Sequence, residues 1–173
     1  MNYSCQVDLA YFTDPTDAGT YAADTWNVRV TVSDSVDTVN DDTYTNEVST
    51  LTAISAPGNV AHGALSLGQK NDGVSLTIYN AGNVDVNIDV SMASAISCAT
   101  GTIPIANNKY DLSNVSYDLM ANTLSSTPTT LDVALPQQTN DAVQVSDDVY
   151  WGIEVPATGL VGACTGTLTI TAN

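Results

Sequence analysis

Val74-Ser75-Leu76-Thr77-Ile78-Tyr79-Asn80-Ala81-Gly82-Asn83-Val84-Asp85-Val86-Asn87-Ile88-Asp89-Val90 is the stretch whose reading decides the fold class. Val74, Leu76 and Ile78 alternate with Ser75, Thr77 and Tyr79. Val84, Val86, Ile88 and Val90 alternate with Asp85, Asn87 and Asp89. Successive side chains of a strand point to opposite faces, so a period of two gives one apolar face and one polar face. β-branched Val, Ile and Thr suit that surface. Asn80-Ala81-Gly82-Asn83, between the two runs, is turn chemistry. The alternation recurs at Trp26, Val28, Val30 and Val32, at Leu131, Val133 and Leu135, at Trp151, Ile153 and Val155, and at Leu168 and Ile170. Turn clusters separate these runs, and no stretch has helical periodicity. Short strands at a spacing of about 8–12 residues predict an all-β chain folded as an antiparallel β-sandwich.

The 173 residues fit one large domain or two small ones. The boundary is expected at Ala56-Pro57-Gly58. Residues 1–56 then hold three strands, near 3–12, 25–34 and 43–54. Residues 57–173 form the main sandwich, with strands near 63–67, 73–80, 84–92, 102–110, 129–135, 148–155 and 164–172. That makes about ten strands, in one sandwich or two packed lobes. Three strands rarely stand alone, so residues 1–56 either pack on the second part or complete a neighbour. The spacing from Cys5 to Trp26 matches a strand-B Cys and strand-C Trp of an immunoglobulin-like sandwich, and equally any buried Trp beside a strand Cys.

Nineteen acidic residues face three basic ones, a formal charge of −16. Only 13% of residues are charged, so the excess comes from missing Lys and Arg, and Thr, Ser and Asn supply the polar surface. Arg29, Lys70 and Lys109 are too few to clamp phosphates, which excludes nucleic acid as the expected partner. They are also too few to hold an anionic membrane surface. No run approaches the ~20 apolar residues of a membrane-spanning helix, so no direct membrane insertion is expected.

Candidate chemistry is sparse. Nucleophilic catalysis needs a base, and the single histidine, His62, lies in the loop-like Gly58-Asn59-Val60-Ala61-His62-Gly63. No enzyme is expected. Calcium is the one cofactor the sequence admits, since hard cations want clustered carboxylate and carbonyl oxygens. Asp34, Asp37, Asp41, Asp42 and Glu47 are the candidate ligands, although solvated turn residues give the same composition and no EF-hand spacing is present. Tyr79, Tyr110, Tyr117 and Tyr150 are candidates for stacking on a glycan, against ordinary sandwich filling. The sequons are Asn2-Tyr3-Ser4 and Asn114-Val115-Ser116, and Asn114 is the one suited to glycosylation. Cys5, Cys98 and Cys164 show no zinc spacing and allow one disulfide.

Three segments resemble modules of secreted archaeal and bacterial cell-surface proteins. Val74–Val86, with Asn80-Ala81-Gly82-Asn83 at its centre, resembles the strand–Asn-x-Gly-Asn–strand hairpin of adhesion-related immunoglobulin-like domains. Tyr150-Trp151-Gly152-Ile153-Glu154-Val155-Pro156 followed by Gly162–Ile170 resembles the closing hairpin of such repeats. Tyr11–Pro15 followed by Trp26–Asp34 resembles their opening. The resemblance implies an immunoglobulin-like sandwich at the cell surface, serving as a structural module of a surface layer, stalk, pilus or filament. Its partners would be other copies or neighbouring modules of the same protein. The alternative is a carbohydrate-binding or adhesin module with a glycan partner. Cys164 stands where such repeats carry an aromatic, and that departure implies a disulfide with Cys98. A terminal strand, Tyr3–Phe12 or Leu168–Ala172, is expected to pair across subunits unless both close inside one monomer.

Overall fold

A computed structural model describes residues 6–173. Its strands are β1 (Trp26–Ser33), β2 (Thr38–Asn46), β3 (Ile54–Ser55), β4 (Lys70–Asn80), β5 (Val86–Ser91), β6 (Ile96–Thr100), β7 (Thr102–Ile103), β8 (Asn108–Asp111), β9 (Asn122–Thr123), β10 (Thr129–Leu135), β11 (Ser146–Glu154), β12 (Val161–Thr165) and β13 (Thr169–Ala172). Every pairing is antiparallel, and the only helical turns among the described residues are three single 3-10 turns. The fold is all-β, and its core has the layered character of a sandwich.

One layer is the five-stranded sheet β3-β4-β11-β8-β9. The other is built on a long pair in which β5 and β6 run opposite β13 and β12. Val90 faces Ile170 in one half of that pair, and Cys98 faces Cys164 in the other. β10 flanks β5, and β7 flanks β6. The alternating apolar residues of the two layers meet in the middle. Ile78, Ile88, Val90, Tyr110, Val149 and Trp151 are each at most 2% exposed. Fully burying each such side chain contributes about 1.5–3 kcal/mol.

The stretch Val74–Val90 is amphipathic as expected, but it is not a hairpin. β4 and β5 belong to different layers, and Asn80–Asn83 carries the chain across the sandwich. Side chains stitch that corner in place. The fully buried Asn80 donates from Nδ2 to the carbonyls of Val84 (2.8 Å), Leu135 (3.2 Å) and Pro136 (2.9 Å), and its Oδ1 accepts from Gly82 N–H at 2.8 Å. Asn83 accepts from Leu51 N–H and donates to the carbonyls of Thr13 and Ser49. A Cβ at Gly82 would lie 2.1 Å from Leu51 O, so only glycine fits there. The segment expected as a closing hairpin crosses layers in the same way, because β11 and β12 lie in different sheets.

Residues before Ala56 also differ from expectation. Residues 6–12 form no strand, and residues 3–5 of that expected element lie outside the described residues. β1 and β2 make a separate two-stranded ribbon, and β3 pairs with β4 in the main sheet instead of with them. Trp26 is 38% exposed and bonds the Asp14 carbonyl through Nε1, so it is not a core tryptophan. Its expected partner, Cys5, lies outside the described residues. The strand expected at 63–67 is a loop, whereas β6 arises from a segment without alternation.

Candidate functional site

The sandwich is open along one seam. After β3 the chain runs back beside β4 without becoming a strand. A Cβ on Gly58 would sit 3.4 Å from Leu76 Cδ1, and His62 Nδ1 bonds Asn71 Oδ1 at 2.9 Å. This segment covers the outer edge of β4 and forms one wall. The opposite wall is the Leu160–Ile170 segment that carries β12 and enters β13. Between them lies a cleft of about 1120 Å³, lined by Val60, Leu65, Leu76, Trp151, Leu168 and Ile170, among others. Among the described residues no Asp, Glu, Lys or Arg lines it, in a chain with 19 acidic and 3 basic residues. The cleft therefore suits an uncharged occupant.

Two polar groups in the cleft bear on its chemistry. Trp151 is 2% exposed and packs beside Tyr110, ring centroids 5.6 Å apart, yet its Nε1–H has no acceptor among the described residues. An unpaired buried donor costs about 1–3 kcal/mol. His62 is half-buried. Burial pushes its pKa below the ordinary histidine value, against the smaller upward effect of the Asn71 hydrogen bond. The imidazole is thus neutral at pH 7, with Nδ1–H donating to Asn71 Oδ1. Its hydrogen-bond partner among the described residues is an amide, neither a nucleophile nor an orienting carboxylate.

The five carboxylates considered for calcium are spread along the β1–β2 ribbon. Asp34 accepts from the N–H groups of Val36 and Asp37, at 2.7 Å each, and caps the turn between the strands. The Asp37 carbonyl accepts from Asp34 N–H in return. Asp41 accepts from the N–H and hydroxyl of Thr43 at a register shift. Asp42 pairs with Arg29 at 3.0 Å, and Glu47 follows the end of β2. These bonds hold Asp34 and Asp41 below the ordinary aspartate pKa. Among the described residues no three His, Cys, Asp or Glu side chains converge as a metal site would require.

Cys98 and Cys164 are bonded, S–S 2.01 Å, at facing positions of β6 and β12. Asn114 is exposed, whereas Asn2 lies outside the described residues. Of the four tyrosines considered for glycan stacking, Tyr110 and Tyr117 are buried. Tyr117 donates its hydroxyl to the Asn107 carbonyl, with Lys109 Nζ 4.8 Å and Lys70 Nζ 5.3 Å from its ring centre. Tyr79 and Tyr150 stay half-exposed. Sequence reasoning missed the cleft because its walls come from residues 56–67 and 160–170, far apart in the chain and bearing no motif. The one signal was the alternation around Trp151. In comparisons with known proteins, no family model, no curated protein and no solved structure matches the chain.

Proposed function

We propose that this chain is a structural module of an extracellular assembly, a repeat unit or subunit of a surface layer, stalk or filament. Its core is an immunoglobulin-like sandwich, and it works through protein–protein contacts with other copies or neighbouring modules. The observation that carries this reading is the β1–β2 ribbon. On one of its faces Asn46 stands opposite Trp26 and Asp41 opposite Val30, and the apolar side chains there are Trp26, Val28, Val30 and Val32, with Tyr44 opposite Val28 and Val39 opposite Val32. These six apolar side chains are 38–70% exposed. The other face is closed by polar pairs, with Arg29 on Asp42, Thr31 on Asn40 at 2.8 Å and Ser33 on Thr38 at 2.9 Å. A lone two-stranded ribbon is marginal in water, and an exposed face rich in apolar side chains is the mark of a contact surface. The disulfide suits an oxidising, extracellular setting.

Glycan binding is the second reading, and Tyr79 and Tyr150 favour it. Both stand on the polar face of the β4–β11 pair, beside the bond from Thr77 to Asp148. Sedimentation velocity across a wide concentration range, run beside a glycan array, separates the two. Self-association with a blank array is the expected result. A chain that stays monomeric and binds glycans would overturn the structural reading.

A further inference from the structure

The outer edge of β13 is unpaired. Asn87 and Asn173 exchange both backbone hydrogen bonds, N–H to O distances of 3.0 and 2.9 Å. Antiparallel ladders alternate, so Thr171 and Thr169 also turn their backbone groups toward β5. The N–H and C=O of Leu168, Ile170 and Ala172 therefore point outward, and nothing among the described residues pairs with them. Leu168 and Ile170 also help to line the cleft. A bare edge of this kind is what sheet proteins cover to stop edge-to-edge pairing. An extended segment with alternating apolar side chains fits it, because such a segment pairs the backbone groups and enters the cleft together.

β13 runs toward the corner of the sandwich. Ala172 stands opposite Ile88, and Asn173 opposite Asn87, beside the start of β5. Residues 11–14 are anchored at that same place. Asp85, just before β5, accepts from Gln137 N–H at 2.8 Å, and Gln137 Nε2 donates to the Phe12 carbonyl and to Asp14 Oδ1. Tyr11 bonds Gln138, and Asn83 donates to the Thr13 carbonyl. Thr13 bonds the Ala10 carbonyl through both its N–H and its hydroxyl, which closes a turn over residues 10–13. Every residue of Gln6–Ala10, just before that turn, is exposed. Val7 is 70% exposed and Leu9 is 55% exposed, and they alternate with Gln6, Asp8 and Ala10 in a stretch with no strand partner among the described residues. Gln6–Ala10 extends to about 17 Å at ~3.3 Å per residue, which matches the length of Leu168–Ala172.

We propose that Gln6–Ala10 folds back on its own chain as a strap, adding a strand to the outer edge of β13 with Val7 and Leu9 over the cleft. In the structure the segment stands clear of that edge, which is the open form, and the turn over residues 10–13 is the hinge. Both segments run toward the corner in the N-to-C direction, so the pair is parallel. Asp8, between the two apolar residues, then turns its N–H and C=O to β13. The tether selects the segment's own chain as the occupant. Its anchor lies beside the end of β13, so the segment meets that edge at an effective concentration of roughly millimolar, and another copy competes only near that concentration. The closed strap caps an edge that would otherwise pair indiscriminately, and leaves the β1–β2 ribbon as the contact face. This goes beyond the structural-module reading and does not depend on it.

The test reads amide hydrogen exchange at single residues of the full chain, at a dilution where sedimentation velocity gives the 18.0 kDa monomer. Thr171 N–H, which is turned to β5, is the control that the sandwich is intact. In the wild type Ile170 and Ala172 should exchange about 10-fold more slowly than in V7D/L9D, with Thr171 unchanged. D8P keeps Val7 and Leu9 but removes the N–H turned to β13, and should lose the same protection. Both variants alter exposed positions alone, so the sandwich is kept. If Ile170 and Ala172 exchange at the same rate in all three forms, the strap is overturned. If D8P keeps the protection that V7D/L9D loses, the strand pairing is overturned. Protection that rises with concentration, together with the mass, overturns closure within one chain and assigns the edge to a second copy. None of these outcomes bears on self-association through the β1–β2 ribbon, which sedimentation across the wide concentration range reads separately.

Discussion

Replacing Asn80 with alanine should destabilise the whole sandwich through one corner. Asn80 is fully buried, and its amide makes four hydrogen bonds to backbone groups. Truncation leaves the carbonyls of Val84 and Leu135 and the N–H of Gly82 unpaired, while water can reach the exposed Pro136. A hydrogen bond is worth about 1 kcal/mol net, and a stranded buried group costs more than that. The expected loss is about 3 kcal/mol, which in a domain of this size lowers the melting temperature by about 6–12 °C. Thermal unfolding followed by circular dichroism reads it directly. Asn80→Asp sharpens the test, because its second oxygen would face three carbonyl oxygens when ionised. The folded-state pKa of that aspartate is then raised. The stability of Asn80→Asp should be highest below about pH 4 and fall as pH rises through the shifted pKa. A melting temperature within about 2 °C of wild type for Asn80→Ala, or an Asn80→Asp variant more stable at neutral pH than in acid, would refute the corner's role.

Three further outcomes are expected. Removing the disulfide by paired Cys98→Ala and Cys164→Ala opens a 66-residue loop, which in the chain-entropy model costs about 4 kcal/mol, and the melting temperature should drop by about 8–16 °C. Asp17, Asp34 and Asp41 are held below the ordinary aspartate pKa by bonds from Thr50, from Asp37 and Val36, and from Thr43. The stability they contribute is present above the unfolded value and lost as pH falls through their folded values. Trp26 fluorescence, isolated by Trp151→Phe, should therefore report ribbon loosening below about pH 4, and Asp34→Asn should flatten that transition. With a charge of −16 and exposed carboxylates, melting temperature should rise between 0.1 and 1 M sodium chloride as the screening length falls from about 10 to about 3 Å; an unchanged value would show that carboxylate repulsion does not limit stability.

The sequence by itself determined which side chains face inward. Period-two alternation is a property of the strand, so Leu76, Ile78, Val86, Ile88, Val90, Leu131, Val133 and Leu135 were legible as core before any packing was known, and all are buried. Turn residues at Asn80–Asn83 likewise fixed where the chain reverses. They could not say whether the flanking strands pair side by side or face each other across the core, because both arrangements need the same alternation. Only long-range partners decide that, and here Leu135, Pro136, Leu51 and Thr13 bond to the corner. Alternation also reports two-facedness and not burial: Val28 and Val30 read like Val86 and Ile88, yet they stay 48% and 45% exposed. β6 escaped notice because Ile96-Ser97-Cys98-Ala99-Thr100 has no alternation, and it is a strand through its pairing with β12 and β7. The cleft belongs wholly to the tertiary structure. It exists because the chain after β3 fails to continue as a strand and because β13 ends its sheet, and an unpaired edge is a relation between strands that no local pattern encodes.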